Sequence, residues 1–392
     1  MNRKLIYLLT LGIFVTATSE LVVSGVLNAI AEDLRVSVAL VGQLITVYSL
    51  SFAVGTPIIV SITAKLPRKT LLLGSLAAFL VGCLLSGAGW SFETLAAGRA
   101  ILGVSAGVYM VVTLGSVAKL VPPDKIGSAM GTVILGFSIA MVLGVPIGIA
   151  VAGWIGWKAI FLLLAAAVLL VLIGAAVFLP RIEGDAPVPF RRQFAVLASP
   201  LVIAGLLLIF FREGGTSVMY TYLTPYLQTI LHMKPSGIAV AMLILGLLGA
   251  VGSRFGGYAV DRWGAVRMIA ISLALPVAAL AALPALKASL AATIAVLAVW
   301  IFASFMVAPA IQTYFVQQAP QSVNLIMGMN TSLTHLGIAA GAGLGGAAVD
   351  ASSTVLYNPW LGAGLLALGL AVSVVIWSAQ ARRAKARERL TA

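Results

Sequence analysis

Charged residues are scarce in this sequence of 392 residues: they make up 9% of it, whereas hydrophobic residues make up 61%. A soluble domain carries about 25% charged residues, so the composition excludes an ordinary soluble protein. The single cysteine, Cys83, lies in an apolar run, which excludes a disulfide framework. Histidine is limited to two residues, and no His/Asp/Glu cluster occurs at helical spacing. We therefore expect neither a metal site nor an intramembrane enzyme.

Other functional signals are missing as well. The sequence has no G-x-x-x-x-G-K-[ST] loop, which argues against transport driven by ATP. It shows no ring of like charges and no re-entrant filter, which a channel needs. A net charge of +13 could indicate a nucleic-acid partner. The placement of the basic residues favours a membrane protein instead, and we expect no nucleic-acid partner and no cofactor.

Long apolar runs occupy most of the chain. Each is long enough for a helix that crosses a bilayer, which needs about 20 mostly apolar residues. The first run contains Glu20 and lacks a small-residue cleavage site, so we interpret it as a retained span and not as a signal peptide. The sequence thus predicts an all-α membrane protein with twelve transmembrane helices. Spans 1 to 12 cover roughly residues 5–30, 39–63, 70–90, 94–118, 127–152, 157–180, 199–231, 236–259, 267–285, 288–311, 323–347 and 359–379.

Basic residues lie mostly on one side of this layout. With the N-terminus in the cytoplasm, eighteen of the 24 lysines and arginines fall on the cytoplasmic side and four on the other. The remaining two, Arg99 and Arg212, lie within spans. Cytoplasmic loops of membrane proteins carry such an excess. We expect a multi-pass protein of the cytoplasmic membrane, surrounded by the lipid bilayer, with both termini in the cytoplasm.

The longest polar connector, at 180–200, separates spans 6 and 7. Its prolines and charges are typical of a linker. It divides the chain into a six-helix bundle at 1–180, a cytoplasmic linker at 181–198, and a second six-helix bundle with a basic cytoplasmic tail at 199–392. Each half has a basic loop after its second span. Two repeated six-span halves are typical of a transporter whose site lies at their interface.

Two opposite charges, Arg212 and Glu213, stand side by side near the middle of span 7. Counted from Leu201 at 1.5 Å per residue, Arg212 lies roughly 17 Å along the helix, close to the bilayer midplane. A charge there costs about 2.5–3.5 kcal/mol on insertion scales, so it faces the protein interior or a water-filled cavity. Neighbours on a helix point about 100° apart, and we therefore expect a different partner for each. The alternative is that the two neutralise each other as a structural pair.

One loop motif gives this layout a family resemblance. The loop after span 8, GYAVDRWGAVR, resembles the G-x-x-x-D-R-x-G-x-x-R loop of the major facilitator superfamily. An acid near a helix end can bind basic residues or a helix N-terminus and so hold one conformation shut. The first-half loop departs from the pattern at its glycine and acid positions. The matching residues in the second half are Gly257, Asp261, Arg262 and Gly264.

Two further motifs resemble those of the drug:proton antiporter branch of that superfamily. The sequence AGRAILG around Arg99 is similar to its fourth-span R-x-x-x-G motif. Gly144, Pro146 and Gly148 are similar to its fifth-span glycine–proline motif, with Val145 where the strict form has glycine. Glycines let helices approach closely, and proline kinks them. The resemblance covers essentially the whole chain and implies the major facilitator fold, with twelve helices in two six-helix bundles.

Short stretches sharpen the resemblance. TSEL at 18–21, VGQL at 41–44, YTYLTP at 220–225 and NTS at 330–332 resemble a bacterial group that exports purine bases, nucleosides, sugars and some drugs. Span 7 reads REGGTS where that group often has a histidine. The resemblance implies proton-coupled efflux from the inner membrane by a monomer, with purine bases or nucleosides favoured. Export of sugars or amphenicol-like drugs, uniport, and import by proton symport remain alternatives.

Glu20 in span 1 and Arg99 in span 4 come at comparable depths in the membrane. Burial favours the protonated form of a carboxyl group, whereas a nearby arginine favours the ionised form. A carboxyl group between these effects can load and lose a proton. Glu20 is therefore the first candidate for the proton carrier and Glu213 the second. Arg99 is the expected partner of Glu20, and Arg212 is expected to hold substrate, or an acid such as Glu20 when the site is empty. The alternative is a permanent Glu20–Arg99 ion pair that only orients the helices.

Polar and aromatic side chains near the middle of several spans form the predicted substrate cavity. Aromatic faces with a few amide and hydroxyl groups suit a flat, weakly polar ligand. Ordinary helix packing is the alternative for each of them. The expected lining residues are Gln43, Tyr48, Tyr109, Tyr220, Tyr222, Trp300, Phe305, Asn330, Thr334 and His335.

Overall fold

A computed structural model describes residues 3–122, 125–184, 200–318 and 323–391. Within these residues, twelve helices are long and apolar enough to cross a membrane, as predicted. Most of the predicted linker, from residue 185 to residue 198, lies outside the described residues. The last helix continues to Thr391, through the segment predicted as a basic tail.

The first half, spans 1–6, consists of helices with recognisable ends. The hydroxyls of Ser37 and Ser91 cap spans 2 and 4 by accepting hydrogen bonds from the amides of Leu40 and Thr94, at 3.1 and 3.3 Å. Span 1 ends at Gly25, and a short helix, Leu27–Leu34, follows it. The six long helices are Arg3–Gly25, Val38–Ile62, Arg68–Ala88, Phe92–Leu120, Ile126–Ile155 and Lys158–Phe178.

The second half, spans 7–12, repeats this organisation. Span 7 breaks at Tyr222, and a short helix, Leu223–Thr229, completes it. A proline near this break, Pro225, sits in the first turn of the short helix, where its missing N–H costs little. The six long helices are Pro200–Thr221, Pro235–Trp263, Ala265–Ala282, Leu290–Gln318, Val323–Ser352 and Asn358–Thr391.

Packing partners are equivalent in the two halves. Span 1 packs on span 5 as span 7 packs on span 11, and span 2 packs on span 4 as span 8 packs on span 10. Span 3 contacts spans 4 and 6, and span 9 contacts spans 10 and 12. The main contacts between halves join span 2 to span 11 and span 5 to span 8. The central space is therefore bordered by both halves.

Polar contacts join the two halves on the side of the membrane opposite the termini. We call this side the far side. The Tyr222 hydroxyl of span 7 lies 3.5 Å from the carbonyl oxygen of Ala39 in span 2, and it donates to the carbonyl of Ala342 in its own half, at 3.2 Å. The amide of Asn28 donates to Gln228, which joins the two short helices. The structure is thus closed on the far side.

Glycines let span 7 approach its neighbours closely. A methyl group on Gly215 would lie 2.7 Å from the carbonyl oxygen of Gly362 in span 12, and one on Gly337 in span 11 would lie 2.7 Å from that of Phe210. Such distances are shorter than van der Waals contact, so only glycine fits without moving a helix. This approach fixes the depth and rotation of the segment that carries Arg212.

We expect Gly215→Ala to destabilise the protein, because the new methyl group meets a backbone carbonyl that cannot swing away. Overpacking of this kind costs about 1–3 kcal/mol. The matched control is Gly364→Ala in span 12, where a methyl group meets nothing within 4 Å. Thermal unfolding in detergent should show a lower midpoint for the first variant and an unchanged or higher one for the second. Equal midpoints would contradict the close approach.

Candidate functional site

A cavity of about 410 Å³ lies between the two halves. This volume falls within the range of small-molecule sites, about 300–1,000 Å³. Its wall is largely apolar, with polar side chains from spans 1, 2, 7, 10 and 11. The predicted residues that line it are Glu20, Arg212, Glu213, Tyr220, Phe305, Asn330, Thr334 and His335.

A larger groove, of about 650 Å³, lies between spans 2, 3 and 4. Ser51, Gly74 and Ser105 are among its lining residues, and none of its lining residues is charged. A site that moves protons or orients a polar substrate needs titratable or charged groups. The central cavity is therefore the candidate functional site.

Five predicted lining residues do not line the cavity. Gln43 packs on Gly343 of span 11, and the Tyr109 hydroxyl donates to the Leu9 carbonyl at 3.2 Å. Trp300 is fully buried among helices. A large side chain at mid-span can fill space between helices as readily as it can face a cavity, and depth along a helix does not distinguish the two. The five are Gln43, Tyr48, Tyr109, Tyr222 and Trp300.

Glu20 faces His335 across the cavity. The distance from Glu20 Oε1 to His335 Nε2 is 3.3 Å, and the two side chains are only 13% and 8% exposed. Span 1 carries the acid and span 11 the imidazole, so the contact joins the two halves. The His335 ring lies parallel to the Phe52 ring of span 2, with centroids 3.6 Å apart.

Arg99 does not pair with Glu20, and that expectation is wrong. The buried guanidinium donates from Nη1 to the Ser19 carbonyl, at 2.7 Å, and from Nε to the Leu44 carbonyl, at 3.4 Å. It also lies 4.2 Å from the centre of the Tyr48 ring. Backbone oxygens and an aromatic face thus hold this cation through Nη1, Nε and the ring of Tyr48, one residue away from the carboxylate that the sequence predicted as its partner, while Nη2 is buried without a hydrogen-bond partner.

Arg212 and Glu213 pair with each other, so the expectation of separate partners is also wrong. Nη1 of Arg212 forms an ion pair with Oε1 of Glu213, and Nη2 donates to the Ser304 carbonyl of span 10 at 2.6 Å. The angle of about 100° between neighbours describes where the side chains leave the helix. An arginine is long enough to fold back, and the pair places two opposite charges side by side in the cavity wall.

The fifth-span motif positions span 1. Gly144 and Gly148 lie on the face of span 5 that packs against Thr18 and Val22 of span 1. Pro146 lies inside the same helix. The motif therefore supports the part of span 1 that carries Glu20, close to the cavity.

The loop motif after span 8 lies far from the cavity, near the termini. Gly264 ends the helix with φ of 83°, a left-handed conformation that favours glycine, and a methyl group on Gly257 would meet nothing within 4 Å. Asp261 is exposed, and no residue that the structure describes forms an ion pair with it. Arg262 donates to the hydroxyl of Tyr258 at 3.2 Å.

The sequence did not predict several of the residues that line the cavity. Gln312 comes one residue after the predicted end of span 10, and the helix continues to Gln318, so a longer predicted span would have included it. Phe137 and Met141 line the cavity from span 5 and carry no signal that separates them from packing residues. In the part of the chain that the structure describes, no group of three His, Cys, Asp or Glu residues could hold a metal ion.

The family model of the Major Facilitator Superfamily matches residues 9–342. An uncharacterized MFS-type transporter of Bacillus subtilis, YbcL, is 35% identical over 387 residues, which cover 98% of each chain. A chloramphenicol resistance protein of Streptomyces lividans is 27% identical over 372 residues, which cover 94% of this chain and 95% of the relative.

Solved structures resemble the overall architecture. A bacterial homolog of the human lysosomal transporter Spinster, in an inward-facing and unoccupied conformation, superposes with a TM-score of 0.76. The match covers 95% of both chains at 15% identity. A likeness at this level of identity shows the fold, with its twelve helices.

Proposed function

Because the chain belongs to the Major Facilitator Superfamily, we propose that it exports small organic molecules in exchange for protons. The protein is a multi-pass membrane transporter and not an enzyme, and such transporters need no cofactor. In the proposed cycle the two six-span halves, 1–180 and 199–392, rock about the central cavity and expose it to each side in turn. The termini lie in the cytoplasm, and the working unit is a monomer.

The cavity between the halves is the observation that carries this proposal. It is closed on the far side by contacts such as that of Tyr222, and its titratable side chains include Glu20 and His335, which come from opposite halves and contact each other. A site that both halves build changes when they move. A proton and a substrate that compete for such a site are exchanged in each cycle.

Purine bases and nucleosides are the favoured substrates. The cavity presents aromatic faces from Tyr220 and Phe305 and amide groups from Gln312 and Asn330. A flat heterocycle can stack on the first pair and exchange hydrogen bonds with the second. The sequence stretches around Glu20 and Tyr220 support the same class through their resemblance to purine exporters.

Chloramphenicol-like drugs are the second candidate substrates. Relatives whose names state chloramphenicol resistance or efflux match more than 90% of this chain. Such a drug also combines an aromatic ring with amide and hydroxyl groups, so the same wall suits it. A sugar lacks an aromatic face and uses less of this wall.

A transport assay in reconstituted vesicles tests the proposal. Purified protein would be placed in vesicles with an imposed pH gradient, and accumulation of labelled adenine, adenosine, chloramphenicol and glucose would be measured. We expect adenine and adenosine to accumulate against their concentration gradients. Chloramphenicol should accumulate in the same way if drugs of its class are substrates. Uptake that continues only to equal concentrations, with or without the pH gradient, would favour uniport. Accumulation in the direction of the proton flow would favour symport.

Asp261 provides a separate prediction about the cycle. It is exposed near the termini in the state closed on the far side, so we expect it to bind basic groups only when the terminus side closes. Asp261→Asn should then raise the population of the state described here. Distances between spin labels on the terminus-side ends of the two halves would show this shift. An unaltered distance distribution would count against this role of Asp261.

A further inference from the structure

The contact between Glu20 and His335 differs from the other polar contacts that join the halves. The others, among described residues, use neutral or backbone groups on one side, such as Asn28 with Gln228 or Tyr222 with Ala39. Glu20 and His335 are both titratable, and they come from spans 1 and 11. A change in the protonation of this pair therefore acts directly on the contact between halves.

The surroundings of His335 determine which ring nitrogen can titrate. Nδ1 lies 3.1 Å from the carbonyl oxygen of Thr331, one turn earlier in span 11. A carbonyl oxygen only accepts hydrogen bonds, so Nδ1 carries a hydrogen and donates it. Stacking on Phe52 holds the ring plane in place. Nε2 is thus the nitrogen that gains or loses a proton, and it is the one that faces Glu20.

The electrostatic interaction between Glu20 and His335 determines how many protons the two side chains bind when they are in contact. With Nδ1 protonated, an unprotonated Nε2 presents a lone pair to Glu20 Oε1 at 3.3 Å. If the carboxyl group were ionised as well, a lone pair would face a negative charge where both side chains are largely buried. One proton removes this repulsion, whether it sits on Nε2, which gives an ion pair, or on Oε1, which gives a neutral acid beside a neutral imidazole.

Neighbouring charged groups do not replace that proton. On span 7, Arg212 and Glu213 largely neutralise each other. On span 4, Arg99 is held by the Ser19 and Leu44 carbonyls and adds positive charge beside Glu20 without contacting it. On span 2, Tyr48 lies under that guanidinium. The shared proton therefore stays between Glu20 and His335.

We propose that one proton, shared between Glu20 Oε1 and His335 Nε2, fastens the halves in the state closed on the far side. This inference rests on the proposed proton-driven export and names its coupling device. A proton from the far side binds to one of these two atoms as the halves close there. Substrate that enters from the terminus side separates the pair, and the N–H or O–H bond breaks as the proton leaves to water on that side. One proton thus moves inward for each substrate that moves outward.

The pH dependence of the conformation follows from this count. In water, a carboxylate and a neutral imidazole coexist above about pH 6.5, so separated groups share no proton there. Formation of the pair then takes up one proton. The ratio of far-side-closed to far-side-open protein should therefore rise as pH falls from about 8 to about 6.5. Linkage to one proton limits this rise to about ten-fold per pH unit.

Spin labels on the far side can measure that ratio. Trp90 and Lys287 are exposed and lie in far-side loops of opposite halves. Both would be replaced by cysteine in a Cys83→Ala background, since Cys83 is the one native cysteine. Double electron–electron resonance in lipid nanodiscs, at several pH values and without substrate, gives the populations of short and long distances. We expect the wild-type ratio to follow pH, and Glu20→Gln and His335→Gln each to remove most of the slope.

The other histidine supplies the matched control. His232 is exposed and has a φ of 53°, which asparagine tolerates, so His232→Asn should retain the full slope. A folded Glu20→Gln or His335→Gln variant that keeps the wild-type slope would overturn the shared proton. If the wild-type ratio does not change with pH although the protein shows proton-driven efflux, the shared proton is overturned and the proposed function stands. A sloped profile in a protein that shows no proton-driven efflux would remove the proposed function and leave the pair as a pH-sensitive contact.

Discussion

Glu20→Gln should abolish proton-driven accumulation of substrate while substrate binding largely persists. Glutamine has nearly the same shape as glutamate and can still contact His335, but its amide cannot take up and release a proton. We expect accumulation in vesicles to fall to the level of protein-free vesicles. The substrate Kd should change by less than about ten-fold, equivalent to 1.4 kcal/mol. Exchange of labelled for unlabelled substrate, which needs no net proton movement, should continue.

A control variant and the exchange assay distinguish loss of proton coupling from a general loss of structure. Glu93→Gln, at an exposed carboxylate at the start of span 4, should leave both accumulation and exchange unchanged. Loss of exchange together with accumulation in Glu20→Gln would indicate a structural role. Accumulation at the wild-type level against a gradient would remove Glu20 from the coupling role altogether.

Hydrophobic patterning predicted the membrane helices because each helix must satisfy its backbone within itself and present apolar side chains to lipid. The ends shifted by a few residues where capping groups such as Ser37 and Ser91 set them. The breaks at Val26 and Tyr222 were not foreseen. They depend on how each helix packs on the far side, which the apolar runs do not record.

The candidate site was predicted in part. Depth along each span identified Glu20, His335 and Arg212 as groups that a bilayer does not tolerate on its lipid face. The sequence did not reveal that Glu20 meets His335, because spans 1 and 11 lie more than 300 residues apart and their contact depends on how the halves dock. It also paired Arg99 with an acid, whereas the guanidinium donates its hydrogen bonds to backbone carbonyls. The sequence pattern thus does not predict which distant spans meet or how each helix is rotated about its axis.

Arg212→Ala should strongly destabilise the protein. It leaves Glu213 as an unpaired carboxylate in the cavity wall and removes the hydrogen bond to the Ser304 carbonyl, which links span 7 to span 10. Removal of one partner of a buried ion pair costs about 3–5 kcal/mol. We expect a lower thermal midpoint and no measurable transport at neutral pH. A midpoint equal to that of the wild type would show that water already screens the pair.

The double variant Arg212→Ala with Glu213→Ala distinguishes a structural pair from a functional one. Replacement of both charges leaves neither unpaired, and such replacements are often neutral for stability or even stabilising. We therefore expect the thermal midpoint to recover most of the loss seen with Arg212→Ala. Substrate binding should remain at least about ten-fold weaker than in the wild type, because the cavity wall has lost its charged groups. If the double variant instead transports as well as the wild type, with the same pH profile, the two side chains only neutralise each other, and the coupling assigned to this cavity depends on Glu20 and His335 alone.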